Sequence, residues 1–250
     1  MGGELQHNKF NNLRVLITGV SSGIGLAVAR SYLIMGSRVF GLDINDSKNL
    51  ILKSNDNFHF YLCDVSNYDN VKNIIDEIYI KFQFIDVLIN CAGIIDFKSI
   101  EDSSYVFWKK IINVNLTGTF ITCKNIVPKM KQLQKGSIIN VSSRAAKHGG
   151  MNETAYCASK FGVEGLSRSL FVECKPYNIV VNSITPGIPI HTAMSEKTYS
   201  EDKKKIWKHP DIITPAFLHL GIQDIYGINN QYVDAWKLSE EIKNEYIDIR

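Results

Sequence analysis

An apolar run that stops at a cluster of glycines constrains the fold of this chain more than any other feature. Residues 13–18 read Leu-Arg-Val-Leu-Ile-Thr and predict a buried strand. Gly19, Gly23 and Gly25 follow at once, and residues 26–35 then have helical spacing. Because small residues let a backbone approach a phosphate, and a helix N-terminus offers unpaired N–H groups, this order predicts a phosphate cradle. Taken alone, the glycines are equally compatible with an ordinary tight loop.

The rest of the chain repeats the alternation of strand and helix. Further strands are predicted at 37–43, 58–63, 85–90, 137–142 and 179–184, and helices at 67–82, 104–130 (broken near Asn115) and 153–175. Alternation of this kind favours one doubly wound α/β domain of the Rossmann type, with a mostly parallel central sheet. We assign residues 13–250 to this domain and the polar residues 1–12 to an N-terminal extension.

Asp43 ends the second predicted strand, 24 residues after Gly19. In a nucleotide-binding α/β fold, a carboxylate at this point accepts hydrogen bonds from the adenosine ribose hydroxyls. The competing interpretation is that Asp43 caps the next helix.

Three residues near the middle of the chain suggest acid–base chemistry. Tyr156 and Lys160 are four residues apart on a predicted helix and therefore share one face. An ammonium roughly 4 Å from a phenol favours the phenolate by about 4 kcal/mol, enough to bring a group with a free pKa of about 10 into working range. Ser143 follows a predicted strand and places a hydroxyl where it can polarise a carbonyl. The alternative is that Tyr156 and Lys160 are an ordinary pair of side chains on the surface of a helix.

Together these segments resemble the short-chain dehydrogenase/reductase family. The loop from Thr18 to Gly25 resembles the family's cofactor loop. Residues 90–93 resemble its Asn-Asn-Ala-Gly motif, with Cys91 in place of one Asn. Residues 113–120 resemble the segment that carries its catalytic Asn. The resemblance implies a catalytic set of Asn115, Ser143, Tyr156 and Lys160, with Asn113 as the less favoured candidate for the Asn. It also implies cofactor contacts from Gly19, Ser21, Ser22, Gly23, Ile24, Gly25, Asp43, Asp64, Val65, Asn90, Ala92, Gly93, Tyr156, Lys160, Pro186, Gly187 and Thr192.

The resemblance assigns a role to each member of the catalytic set. Tyr156 is the general acid or base, Lys160 supports it and holds the nicotinamide ribose, Ser143 donates to the substrate oxygen, and Asn115 holds a water that relays protons. The expected reaction is hydride transfer between a nicotinamide and a secondary alcohol or ketone. The resemblance further implies a homotetramer, or a dimer as the lesser form.

The sequence departs from the family pattern on the substrate side. Thr192 lies five residues after Gly187 where the family has four, the lid expected near 188–210 is short, and Ala235-Trp236 replaces the usual Gly-Gly ending. The short lid predicts an open or adaptable pocket.

The charge of Asp43 predicts NAD(H) in preference to NADP(H), since a 2′-phosphate would lie against it. The leading alternative is an NADPH-dependent 3-oxoacyl-type reductase. A non-catalytic nucleotide-binding relative would have a damaged catalytic set, which this chain does not. A methyltransferase would have no use for the Ser, Tyr and Lys.

Composition and residue spacing argue against a nucleic-acid-binding, a membrane-spanning or a metal-binding protein. A formal charge of +3 without an Arg-rich arm argues against nucleic acid, and no apolar run reaches the length of a membrane span. Five scattered cysteines predict reduced thiols and a cytoplasmic location, and no His, Cys and carboxylate set has the spacing of a metal site. The lysines at 203–205 and 208 are interpreted as a solvated helix face.

Overall fold

The structure is a computed structural model that describes residues 9–46, 52, 54–198 and 201–243. Most of the predicted N-terminal extension and part of the segment after Asp43 lie outside these residues.

Seven strands form one sheet in the described part of the chain. They are β1 Arg14–Thr18, β2 Arg38–Asp43, β3 Phe58–Leu62, β4 Val87–Asn90, β5 Gly136–Val141, β6 Ile179–Thr185 and β7 Tyr232–Asp234. Their order is β3-β2-β1-β4-β5-β6-β7, and every neighbouring pair is parallel. This confirms the doubly wound α/β prediction. The order reverses between β1 and β4, so a crevice opens there at the carboxyl ends of the strands.

Nine α-helices are described. They are α1 Gly23–Ile34, α2 Tyr68–Phe82, α3 Tyr105–Ile112, α4 Gly118–Leu133, α5 Thr154–Cys174, α6 Ala193–Thr198, α7 Glu201–Lys204, α8 Thr214–Gly221 and α9 Ala235–Glu241. Short 3₁₀ turns cover Arg144–Ala146, Lys175–Tyr177 and Pro210–Ile213. Within the described ranges, no helix combines the length and apolar character needed to cross a bilayer.

The alternation of side chains along β1 explains why both faces of the sheet are covered. Val15 and Ile17 point to one face and Leu16 to the other, as expected for a strand, and all three are fully buried. Val15 and Ile17 join a cluster that includes Phe217 of α8. Leu16 joins a second cluster that includes Ile75 of α2. A sheet buried on both faces leaves its carboxyl edge as the place for a site.

The break predicted near Asn115 takes the form of a π-helical segment. Residues Asn113–Thr117 make one wide turn between α3 and α4, so the two helices run on without a loop. The Thr119 hydroxyl donates to the Asn115 carbonyl at 2.9 Å. Single π turns of this kind are frequent at functional sites.

The unusual ending after the last strand also has a structural explanation. β7 stops at Asp234, and α9 begins at Ala235, the first of the two residues that replace the usual Gly-Gly ending. The Asp234 carboxylate accepts from the Lys237 N–H at 3.1 Å and so caps this helix. The residues that replace the family's glycines are therefore the first turn of a helix.

Candidate active site

A cavity of about 940 Å³ lies along the carboxyl ends of the strands. Sixteen of the nineteen predicted site residues line it: Gly19, Ser22, Gly23, Ile24, Gly25, Asp43, Asp64, Val65, Ala92, Gly93, Ser143, Tyr156, Lys160, Pro186, Gly187 and Thr192. The structure thus brings together residues spread over more than 170 positions of the sequence, since residues 19 and 192 line the same cavity. Cavities of this size hold cofactors and small substrates.

The glycine loop is fixed at the end of β1 by close backbone approaches. Gly19 has a φ of +77°, and a Cβ there would lie 2.9 Å from the Cα of Ala92. A Cβ on Gly25 would collide with the Gly19 carbonyl oxygen. The Thr18 hydroxyl accepts from the N–H groups of Cys91 and Ala92, both at 3.0 Å. These contacts leave the N-terminus of α1 open to the cavity, which is the arrangement that a pyrophosphate requires.

Asp43 at the end of β2 holds the glycine loop. One carboxylate oxygen accepts from the Ser21 N–H at 3.0 Å, and the other accepts from the Asn45 N–H at 2.9 Å. Asp43 also lines the cavity, as the predicted contact with the ribose requires. Ser21 does not line the cavity, because its backbone is turned toward Asp43. The helix that Asp43 was alternatively expected to cap falls outside the described residues.

Lys160 is the buried cation of the site. Its ammonium donates to the Val141 carbonyl at 2.8 Å and lies 5.8 Å from the centre of the Tyr156 ring. Burial lowers the pKa of Lys160 to about 8, and the nearby Cys91 thiol and Glu164 carboxylate oppose that effect only in part. An amine with this pKa is mostly protonated at neutral pH, so Lys160 presents a positive charge to Tyr156.

Ser143 is held in position by one hydrogen bond to its side chain and one to its backbone. Its hydroxyl accepts from the Ala145 N–H at 3.2 Å, at the start of the 3₁₀ turn, and its carbonyl accepts from the Tyr232 hydroxyl at 2.9 Å. Tyr232 is on β7, and the Lys147 ammonium lies 3.9 Å from the centre of its ring. The sequence did not point to Tyr232, because its contact with Ser143 joins residues 89 positions apart.

The Asn115 side chain is buried under the cavity floor and does not line it. Its Oδ1 accepts from the Ile94 N–H at 2.8 Å, and its Nδ2 donates to the Ile94 carbonyl at 2.9 Å and to the Ser159 hydroxyl at 3.0 Å. A Cβ on Gly93 would lie 3.4 Å from Asn115 Oδ1 and 3.8 Å from Lys160 Nζ, so these two side chains approach the same point. The amide connects the end of β4 with α5.

Asn90 requires a correction, because its side chain points away from the cavity. Asn90 Nδ2 donates to Asn140 Oδ1 at 2.8 Å, and Oδ1 accepts from the Thr122 hydroxyl at 2.6 Å. The side chain therefore ties β4 to β5 and α4 in the interior, where polar groups must be paired. Cys91 lines the cavity in its place, and burial raises the pKa of this thiol to about 12, so it stays neutral.

The expected lid segment is bonded to itself over the cavity. The His191 N–H donates to the Lys208 carbonyl at 2.9 Å, and the Lys208 N–H donates to the Pro189 carbonyl at 3.0 Å. The His191 ring stacks on Trp207 with ring centres 5.4 Å apart. Thr192, the predicted nicotinamide contact, lies opposite Gly23, with its methyl carbon 3.1 Å from the position of a Cβ there.

Several lining residues were not singled out from the sequence. They include Ile94, Lys110, Val114, Arg144, Ile188, Met194, Ile206 and Trp207. The sequence contained no signal for most of them, because lining a cavity depends on how α3 and the lid pack. Arg144 was visible as the residue after Ser143. Within the described ranges, no group of three His, Cys, Asp or Glu side chains is placed to hold a metal ion.

Comparison with known proteins agrees with this geometry. Residues 13–203 match the family model described as short chain dehydrogenase. The chain is 32% identical over 228 residues to D-threitol dehydrogenase of Mycolicibacterium smegmatis, covering 86% of this chain and 87% of that one. It is 35% identical over 187 residues to 3-oxoacyl-[acyl-carrier-protein] reductase FabG of Thermotoga maritima, covering 73% and 76%.

A solved structure of ElxO with NADP bound superposes with a TM-score of 0.81 at 28% identity, covering 91% of this chain and 99% of that one. The strand order, the glycine loop and the matched family model all agree. This chain is therefore a member of the short-chain dehydrogenase family, an NAD(P)-dependent oxidoreductase of alcohols and ketones.

Proposed function

We propose that this protein oxidises a secondary alcohol or reduces the matching ketone with NAD(H), and that Tyr156 transfers the proton. The observation that carries the proposal is the grouping of Ser143, Tyr156 and Lys160 along one cavity with the glycine loop. Bound nicotinamide supplies the hydride chemistry, and the protein supplies position, charge and protons.

The cation of Lys160 is the reason that Tyr156 suits proton transfer. A buried positive charge beside the ring favours the phenolate, which accepts a proton during alcohol oxidation and returns it during ketone reduction. Ser143 donates to the substrate oxygen, and its backbone is fixed by Tyr232. The Asn115 side chain bonds to Ile94 and to Ser159 on α5 and so links these two segments below the cavity. We propose that Asn115 also holds the water that passes protons to Lys160.

The cavity suits a dinucleotide. We propose that the glycine loop holds the pyrophosphate, Asp43 the adenosine ribose, Asp64 and Val65 the adenine, and Lys160 the nicotinamide ribose. Val65 is buried against Gly118, whereas the Asp64 carboxylate is exposed and accepts from the Ser66 hydroxyl at 2.7 Å. We also assign the 188–210 segment as the substrate lid.

Asp43 is the basis for proposing NAD(H) over NADP(H). A 2′-phosphate roughly 4 Å from this carboxylate would be repelled by up to about 4 kcal/mol per charge pair before water and salt reduce it. A remaining penalty of about 2 to 3 kcal/mol gives roughly thirty- to two-hundredfold discrimination. Arg38, at the start of β2, packs over the Phe82 ring at 5.2 Å instead of facing the cavity.

The second candidate is an NADPH-dependent 3-oxoacyl-type reductase. The 35% identity to the Thermotoga maritima reductase favours it, and so does the bound NADP of ElxO. The two candidates differ in cofactor, so kcat/KM for NADH and NADPH on one substrate separates them. Equal values, or a preference for NADPH, would remove the NAD(H) assignment and favour the second candidate.

Asp43→Asn gives the sharpest test of the cofactor assignment. Asn removes the charge but keeps an oxygen that can accept from the Ser21 N–H, whereas Asp43→Ala loses both. We expect the Asn variant to reduce the ratio of kcat/KM for NADH to kcat/KM for NADPH by at least about tenfold, mainly because kcat/KM for NADPH rises. A ratio that does not change when the charge is removed would contradict the proposal.

Tyr156→Phe tests the catalytic assignment. A panel of secondary alcohols and ketones is screened with both cofactors by the absorbance of reduced nicotinamide. On the best substrate, the Phe variant should lose at least about a hundredfold in turnover, while NADH affinity measured by fluorescence titration stays near wild type. Near-normal turnover in this variant would refute the role of Tyr156.

We also propose a homotetramer assembled through α4 and α5. Phe120 on α4 and Phe161 and Val172 on α5 are 47%, 51% and 69% exposed, so both helices present large apolar side chains at the surface. Light scattering of the purified protein gives the mass directly, and a Phe161→Glu variant should shift it toward smaller species. A monomer at micromolar concentration would contradict the proposal.

A further inference from the structure

Side chains of both charge signs line the cavity. The acidic side chains that line it within the described residues are Asp43 and Asp64, and Asp43 holds the glycine loop through the Ser21 N–H. The cations that line it in the same ranges are Lys110, Arg144 and Lys160, and Arg144 directly follows Ser143 in the chain. The Lys160 ammonium donates to the Val141 carbonyl and has a role in the proposed reaction. The proposed reaction assigns no role to Lys110 or Arg144.

Arg144 is held in position by its backbone while its side chain is left available. Its carbonyl accepts from the Lys147 and His148 N–H groups at 2.9 and 3.2 Å, inside the 3₁₀ turn that Ser143 opens. Arg144 lines the cavity, its side chain is exposed, and its guanidinium makes no hydrogen bond or ion pair with the described residues. A guanidinium offers five donors in a fixed fork that matches a carboxylate.

Lys110 is a further cation of the cavity lining. It is in the last turn of α3, three residues before Asn113, which also lines the cavity. Its ammonium likewise makes no hydrogen bond or ion pair with the described residues. The surrounding lining is apolar, with Ile94, Val114 and Trp207, and such surroundings strengthen attraction between unlike charges.

From the position of Arg144 beside Ser143 we infer that the substrate carries a carboxylate or a comparable anionic group, bound by Arg144. The inference depends on the proposed function, because it describes the substrate of the same site. The lysines at 204, 205 and 208, which the sequence analysis interpreted as part of a solvated helix face, do not line the cavity.

The test compares acids with their neutral esters. Racemic 3-hydroxyhexanoate and 5-hydroxyhexanoate, each beside its methyl ester, place the carboxylate at two distances from the hydroxyl. We expect at least one acid to exceed its ester in kcat/KM by about tenfold or more. In Arg144→Gln this advantage should fall by roughly ten- to hundredfold, as expected for loss of a charge-assisted hydrogen bond, while the ester value changes little.

Lys109→Gln is the matched control. Lys109 precedes Lys110 on α3, but it lies over the Tyr105 ring and does not line the cavity. Its replacement by Gln therefore removes one positive charge from the protein without changing the cavity lining. The acid-to-ester ratio should be unchanged in this variant, and Lys110→Gln should reduce it by less than Arg144→Gln does. An equal drop for acid and ester in Arg144→Gln, or a loss of NAD affinity in that variant, would overturn the inference.

Binding provides an answer if neither acid nor ester is oxidised. Hexanoate and methyl hexanoate are then compared by the thermal stabilisation that each adds to the NADH complex. Stabilisation by hexanoate that is lost in Arg144→Gln supports the inference, and stabilisation that is equal for both ligands or both proteins overturns it. Failure of the proposed function looks different, because no alcohol or ketone of the wider panel would then be turned over with either cofactor.

Discussion

Lys160→Met is expected to make the protein more stable at neutral pH while removing its activity. Burial lowers the pKa of Lys160 from 10.5 to about 8, so the folded state holds this proton less well than the unfolded chain does. At about 1.36 kcal/mol for each pKa unit, carrying the buried charge costs about 3 kcal/mol of folding free energy at pH values below about 8. Met has a similar length and carries no charge.

The lost hydrogen bond reduces this gain. Lys160 Nζ donates to the Val141 carbonyl at 2.8 Å, a contact worth about 1 kcal/mol. The net expectation is therefore a gain of about 2 kcal/mol in the free energy of unfolding at about pH 7.

The sign of the pH dependence follows from the lowered pKa. Between about pH 8 and 10.5 the unfolded chain binds more protons than the folded protein at this position, so the stability of the wild type rises with pH. The advantage of the Met variant is complete below about pH 8 and is gone above about pH 10.5, where the lost hydrogen bond leaves it slightly less stable.

Urea unfolding without cofactor, at about pH 7 and at about pH 10.5, measures the difference between the two proteins. The control is Lys109→Met, which changes an exposed lysine and should show no such pH dependence. A difference between wild type and Lys160→Met that is the same at both pH values would refute the reasoning, and so would a loss of stability at neutral pH.

Two further variants test the parts of the site that the structure reassigned or explained. Asn90→Ala leaves Asn140 Oδ1 without its donor in the interior, although the Thr122 hydroxyl still donates to the Thr119 carbonyl, so urea unfolding should show a loss of about 1 to 3 kcal/mol, while the KM for the cofactor stays near wild type. Gly25→Ala should weaken NADH binding by at least about tenfold in a fluorescence titration, because the new methyl group collides with the glycine loop. Gly149→Ala is its control, since a Cβ there meets no atom within 4 Å, and equal affinities for the two variants would contradict the steric argument.

Local patterns account for what the sequence predicted correctly. The strand before Gly19 and the helix that carries Tyr156 and Lys160 follow from apolar spacing and from residues four apart. The break near Asn115 was also predicted, but its form was not, because nothing in the sequence there distinguishes a π turn from a loop. Most element ends differed from prediction by a residue or two, as with β4, predicted at 85–90 and observed at Val87–Asn90.

The contacts that depend on tertiary packing were beyond the sequence. Asn90 sits in a motif associated with the cofactor, and only the positions of β5 and α4 show that its amide is used in the interior. Arg144 and Trp207 reach the cavity because a 3₁₀ turn and the lid place them there. A linear pattern records neither of these placements.

The hydrogen bond from Tyr232 to the Ser143 carbonyl has a consequence for how the protein is made. The strand that carries Tyr232 follows the other six described strands in the chain and is the outermost strand at its edge of the sheet. Just after this strand, the Trp236 N–H donates to the Pro186 carbonyl at 3.2 Å. A growing chain in which the first six strands have already formed the nucleotide cradle therefore lacks the brace on Ser143 until residue 232 emerges from the ribosome. We expect nucleotide binding to be acquired before catalytic competence during synthesis.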